Sequence, residues 1–178
     1  MKIKEITDTI ERFAPLTLQE SYDNAGLIVG RPEDEVEAAL VAVDVTDEVL
    51  DEAERTGCGL VITHHPLVFH ALKRFNSNGC VQRCVERAIR RGIALYACHT
   101  NLDSAPGGMS WRLAAMLGVG GLRVLQPAAG AVPGAGLGVV GELREAMDTD
   151  AFLRRTMERT GAQVVRHSAF AAERVRRV

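Results

Sequence analysis

Apolar positions in the first half of the chain follow two periods in turn. Ile3, Ile6, Ile10 and Phe13 recur at helical spacing, and the pattern stops at Pro15. Short apolar runs without polar alternation come next: Leu27-Ile28-Val29, Leu40-Val41-Ala42-Val43, Leu60-Val61-Ile62-Thr63 and Ile93-Ala94-Leu95-Tyr96-Ala97. Helical spacing returns between them. One segment carries Val49, Leu50 and Ala53, can be capped by Thr46 or Asp47, and stops at Gly57. Another runs from Cys80 to Arg91 and is closed by Gly92, and a further helix spans Gly108 to Leu117. Unbroken apolar strands separated by helices of about ten residues predict an α/β fold in which a mainly parallel sheet is covered on both faces.

The rhythm breaks between 127 and 138, where Pro127, Gly130, Pro133, Gly134, Gly136 and Gly138 favour no regular element. Beyond the break the pattern predicts a strand at Leu137–Val140, a helix at about Asp148–Thr160 and a strand around Val164-Val165. The residues from Glu173 to Val178 read as the start of another strand. The expected organisation is a first α/β lobe over 1–126, a Gly/Pro-rich connection over 127–138 and an incomplete second lobe over 139–178.

Composition narrows the classes. A chain of 178 residues with 47% hydrophobic and 25% charged residues is that of a soluble globular protein. The formal net charge of −2 supplies no global cationic field for nucleic acid. Residues 151–178 carry seven arginines against Glu158 and Glu173, but no aromatic platform accompanies them, which favours a solvated face over a nucleic-acid tail. No apolar run approaches the roughly 20 residues that cross a bilayer. The start, Met1-Lys2-Ile3-Lys4-Glu5, places charge where a secretory signal has its apolar core, so a cytoplasmic protein is expected. Cys58, Cys80, Cys84 and Cys98 form no C-x-x-C pair. They read as small buried residues in a reducing compartment, with the i,i+4 spacing of Cys80 and Cys84 a weak metal signal.

In a parallel sheet, ligands collect beyond the carboxyl ends of the strands. Three predicted strands end in polar groups: Asp44 after the first, His64-His65 after the second, and His99-x-x-x-Asp103 after the third. Imidazole and carboxylate suit Zn, Fe or Mn. Consecutive residues on a regular strand point to opposite faces, but the turn into Pro66 lets both histidines reach one cleft. Asp44 has an alternative role as the cap of the next helix. His70 reads as a loop residue and His167 as incidental. Pro106-Gly107-Gly108 precedes a helix whose N-terminus could hold phosphate or simply turn the chain. Gly136-Leu137-Gly138-Val139-Val140-Gly141 matches G-x-G-x-x-G without the strand-turn-helix context that dinucleotide binding needs. Neither a P-loop nor a G-x-S-x-G elbow occurs.

Together, Ser21-Tyr22-Asp23-Asn24-Ala25-Gly26-Leu27, Thr63-His64-His65-Pro66-Leu67 and His99-Thr100-Asn101-Leu102-Asp103-Ser104-Ala105-Pro106-Gly107-Gly108 resemble the dinuclear-metal family called GTP cyclohydrolase I type 2, or Nif-three-like. Gly141-Glu142-Leu143 resembles a further landmark of that family. The resemblance implies two related α/β lobes in a toroidal homohexamer, with metal sites facing an internal cavity. It implies His64, His65 and Asp103 as metal ligands, His99 beside the site as a proton-moving catalytic residue, and Asp23 and Asn24 lining it. It further implies divalent cofactors (Zn, Fe or Mn, two per subunit in the family) and a small-molecule substrate such as a nucleotide, hydrolysed by metal-activated water. One departure stands out. The family carries a further His-x-x-x-Glu ligand pair, whereas His167 here is followed four residues on by Ala171. This predicts a C-terminally truncated member with fewer bound ions, and leaves a non-catalytic metal-binding or scaffold protein as the alternative.

Overall fold

Three of the apolar runs pair side by side and in parallel. The computed structural model describes residues 1–128, 130 and 132–178, and the chain divides into two compact units, Met1–Leu102 and Asp103–Val178. In the first unit, β2 (Ala39–Ala42), β3 (Leu60–Thr63) and β4 (Ala94–Ala97) are parallel, and β1 (Gly26–Val29) closes the sheet antiparallel to β4, in the order β1-β4-β3-β2. Register aligns their ends: Ala42 pairs with Thr63, Thr63 with Ala97, and Ala97 with Gly26. The carboxyl ends of three strands and the entry to the fourth therefore share one sheet edge. This is the α/β architecture with a mainly parallel sheet that the periodicity predicts.

β4 is buried throughout because both faces are covered. On one face α2 (Asp47–Thr56) and α3 (Cys80–Arg91) bury Leu50, Ala53, Cys84 and Ala88 against Val61 and Leu95. On the other face lies α1 (Ile3–Phe13), whose Glu11 Oε1 accepts from the Tyr96 hydroxyl at 3.3 Å. The ends of the two covering helices follow the residues expected. Thr46 Oγ1 accepts from the Val49 amide at 3.2 Å, and Gly57 and Gly92 close α2 and α3 in the left-handed conformation that suits glycine. Arg87 of α3 ties the two helices together, donating to Asp51 at 2.5 Å, to Glu54 at 2.7 Å and to the Asp47 carbonyl at 3.2 Å. Burial pushes the Cys84 thiol up to about 12, helped by the neighbouring Cys80, so with no metal cation beside it the sulfur keeps its proton.

The second unit is an antiparallel sheet, β5 (Val119–Pro127), β6 (Gly136–Asp148) and β7 (Arg174–Arg177), with α5 (Met109–Leu117) leading into β5 and α6 (Thr149–Thr160) between β6 and β7. Ala114, Leu117, Val119 and Leu143 form its core. The Gly/Pro stretch at 127–138 connects β5 to β6 within this one sheet, with Ala129 and Ala131 outside the described residues. β5 went unpredicted because its two glycines and Arg123 mask its alternation. The helix expected at Asp148–Thr160 forms, with Asp148 as its cap accepting from the Ala151 amide at 3.0 Å. The strand expected at Val164-Val165 does not form: Val164 is 77% exposed, and the third strand is Arg174–Arg177, which can pair with β6 because the Glu173 carbonyl accepts from the Thr149 amide at 2.9 Å. Glu142 pairs with Arg176 at 3.2 Å, so part of the C-terminal arginine charge is spent within the sheet.

The G-x-G-x-x-G match lies within β6. Its last glycine has a packing reason: a Cβ at Gly141 would collide with the Gly120 carbonyl oxygen and stand 2.8 Å from Leu122 and 2.9 Å from Val119. Gly141→Ala is expected to cost about 1–3 kcal/mol by overpacking the β5–β6 pair, read as a lower midpoint in denaturant. An unchanged midpoint would mean that β5 yields without strain.

Candidate metal centre

The aligned sheet edge gathers three imidazoles. His64 and His65 follow β3 directly, at the point where its backbone leaves the ladder. The Cys98 amide still donates to the Thr63 carbonyl at 2.8 Å and the His65 amide to the Val43 carbonyl at 3.0 Å, while the Thr63 hydroxyl donates to the His65 carbonyl at 2.8 Å. This turn before Pro66 brings the rings of consecutive residues to the same side, with centroids 5.0 Å apart. His99, just past β4, lies 5.3 Å from His64 and 5.6 Å from His65, ring to ring. One ring nitrogen of each histidine lies within 4.8 Å of the others.

Each ring is held from behind through Nδ1. The Nδ1 of His64 lies 2.9 Å from the Cys98 carbonyl, that of His65 2.7 Å from Asp44 Oδ1, and that of His99 2.8 Å from Asp23 Oδ1. Carbonyl and carboxylate oxygens only accept, so Nδ1 is the donor in all three of these hydrogen bonds. This is the arrangement that orients and strengthens metal-binding imidazoles. Three such donors suit Zn and neighbouring first-row ions.

Asp23 is the best-supported of the three anchors. Its side chain is fully buried, and the loop before β1 delivers it to the shared edge. It accepts from His99, from the Thr100 hydroxyl, from the Thr100 amide at 3.0 Å and from the Asn24 amide at 2.7 Å. Burial works against its charge, but these donated hydrogen bonds outweigh burial and hold the carboxyl below its ordinary value of 3.8. Asn24 turns away to donate to the Val68 carbonyl at 2.7 Å, fastening the loop that follows the histidine pair. Asp44 leaves the capping of α2 to Thr46 and anchors His65, so of its two readings the structure has the strand-end site group and not the helix cap.

Asp103 is half-buried on α4 (Thr100–Ser104), one helical turn beyond His99, and opens the second unit. The Gly108 amide donates to the Ala105 carbonyl at 2.9 Å, so the turn before α5 uses one of its own N–H groups. His70 is exposed and packs edge-on against Phe69 at 5.0 Å. His167 stacks on Phe170 at 4.8 Å, exposed to solvent. Phe69 carried no sequence signal and Tyr22 only its place in the first motif, yet Phe69 stands 6.1 Å from His99 and 6.4 Å from Tyr22, giving the histidine cluster an aromatic flank. Only a loop closure between distant segments makes that flank visible.

The profile described as Duf34/NIF3 (NGG1p interacting factor 3) matches residues 1–178. The chain is 35% identical over 167 residues to a "GTP cyclohydrolase 1 type 2 homolog" of Clostridium acetobutylicum, covering 94% of this chain and 62% of that one. It is 32% identical over 178 residues to the protein of the same name from Clostridium perfringens, covering all of this chain and 68% of that one. Among solved structures, the Staphylococcus aureus protein SA1388 superposes with a TM-score of 0.89 at 26% identity, over 99% of this chain and 70% of that one. HcgD from Methanocaldococcus jannaschii superposes with a TM-score of 0.74 at 31% identity, over 89% and 60% respectively. Among the described residues no helix is long and apolar enough to cross a membrane. With its profile match running from the first residue to the last, the chain belongs to the DUF34/NIF3 family.

Proposed function

We propose that this protein is a metal-dependent hydrolase of the GTP cyclohydrolase 1 type 2 kind, acting on a nucleotide or another phosphorylated small molecule. The observation that carries the reading is the trio of imidazoles, each held through Nδ1 and each bringing a ring nitrogen within 4.8 Å of the other two. His64 and His65, with Asp103 from the helix that follows His99, are the proposed metal ligands. A Zn, Fe or Mn ion held there supplies Lewis acidity for hydrolysis. His99 is the proposed catalytic residue: Asp23 fixes its tautomer, so its Nε2 is placed to take up and return a proton. Tyr22 and Phe69 offer ring faces against which a flat base can rest. The names of the Clostridium relatives and the motif resemblance support the nucleotide class, and the resemblance adds a cytoplasmic homohexamer.

Metal analysis and turnover test this together. The purified protein is expected to hold a divalent ion that His64→Ala and Asp103→Ala each lose, and to release formate from GTP in a chelator-sensitive way. Unchanged metal content in both variants would refute the ligand assignment. Metal uptake without turnover of any nucleotide would favour a non-catalytic metal-binding protein.

A further inference from the structure

In the first turns of α2 and α3 a second group of donors meets. Cys80 and Cys84, one turn apart on α3, hold their sulfurs 3.8 Å from each other, and Cys84 Sγ lies 4.0 Å from Asp47 Oδ1 at the start of α2. All three donor atoms fall within 4.8 Å of one another. We propose that Cys80, Cys84 and Asp47 form a second cation site, separate from the histidines, for a thiophilic divalent ion of the Zn or Cd type.

Geometry supports this assignment. Tetrahedral coordination with a metal–sulfur distance of about 2.3 Å sets the sulfur–sulfur edge at about 3.8 Å, and the sulfur–oxygen edge at about 3.6 Å. The sulfurs already stand at that edge length, and the carboxylate needs only a small side-chain rotation. The seam between the helices is also held without the ion, because Arg87 bridges α2 and α3, so the three donors are presented by a fixed framework. Asp47 is also held in place by cations: Arg83 Nη2 lies 3.7 Å from Asp47 Oδ2 and Arg87 Nη1 lies 4.0 Å from Oδ1. Cys84 is fully buried and Cys80 is exposed, which gives the ion an entry side and leaves a fourth position open to solvent. A redox disulfide would use the two sulfurs but gives the carboxylate beside Cys84 no part. Two thiolates on a helix i,i+4 pair, closed by a carboxylate from the neighbouring helix, make a clasp across the α2–α3 seam.

The test is a Cd²⁺ titration of the full chain in a phosphine reductant, read by thiolate-to-metal charge-transfer absorption, to which imidazole ligands do not contribute. A saturable band is expected, accompanied by protection of Cys80 from iodoacetamide that chelator reverses. Cys80→Ser replaces an exposed residue and keeps the fold. It should lose at least about half of the band and weaken binding by about 100-fold. Asp47→Asn should keep the band per bound ion while weakening binding by about tenfold. A titration of Cys80→Ser indistinguishable from wild type, no band with Cd²⁺ in excess, or a Cys80–Cys84 disulfide persisting in the reductant would each overturn the proposal. None of these outcomes depends on the histidine centre.

Discussion

Asp23→Ala is expected to lower folding stability by about 3 kcal/mol and to release His99 from its orientation. Asp23 accepts from an imidazole, a hydroxyl and two amides while its side chain is out of water. Removing the acceptor leaves the Thr100 amide and hydroxyl without their partner in a buried setting, and each orphaned donor costs about 1–3 kcal/mol. Asp23→Asn separates charge from shape. Because the folded carboxyl titrates below its ordinary value of 3.8, its contribution is fully present above that value and is lost as pH falls through the lower folded one. The stability gap between wild type and Asp23→Asn should therefore be wide at neutral pH and narrow progressively in acid below about pH 4. Denaturant titrations at several pH values measure it. A gap independent of pH would show that Asp23 acts by shape alone.

The second large effect is on metal affinity, with little on folding. Asp44→Ala is expected to weaken metal binding at the histidine cluster by about 10–100-fold, the usual cost of removing the partner that orients a liganding imidazole. Asp44 and His65 are both half exposed, so the same change should move stability by less than about 1 kcal/mol. His65→Ala should remove binding at that cluster more completely than Asp44→Ala does. Calorimetric titration with Zn²⁺ alongside denaturant melts reads both quantities. Equal affinity in wild type and Asp44→Ala would mean that His65 is positioned by its backbone turn without the carboxylate.

These expectations differ in how far the amino-acid order alone reaches them. The apolar runs at Leu60–Thr63 and Ile93–Ala97 are strands because nothing polar interrupts them, and such strands are stable only with both faces covered. That local pattern led to the sheet. In the second unit it reached the strand at Arg174–Arg177 but failed at two other places. β5 was hidden by Gly120, Gly121 and Arg123, and Val164-Val165 had the composition of a strand without a neighbour to pair with. Strand formation there depends on a distant partner, which a short window cannot contain.

The histidines show the same division. That His64, His65 and His99 follow strand ends was legible from periodicity, since strand length and the Pro66 turn are local properties. Which oxygen each ring would meet was not. Asp23 is 76 residues from His99 and Asp44 is 21 from His65, and only the sheet register carries those carboxylates to the same edge. Likewise, the spacing of Cys80 and Cys84 was written in one helix, while Asp47 reached them only through the packing of α2 on α3. Sequence by itself determined the helices and central strands of the first unit, because their period and caps are fixed by neighbours along the chain. Tertiary structure alone decided which donors share a site, because hydrogen bonds and coordination need groups a few ångströms apart in space, whatever their distance in the chain.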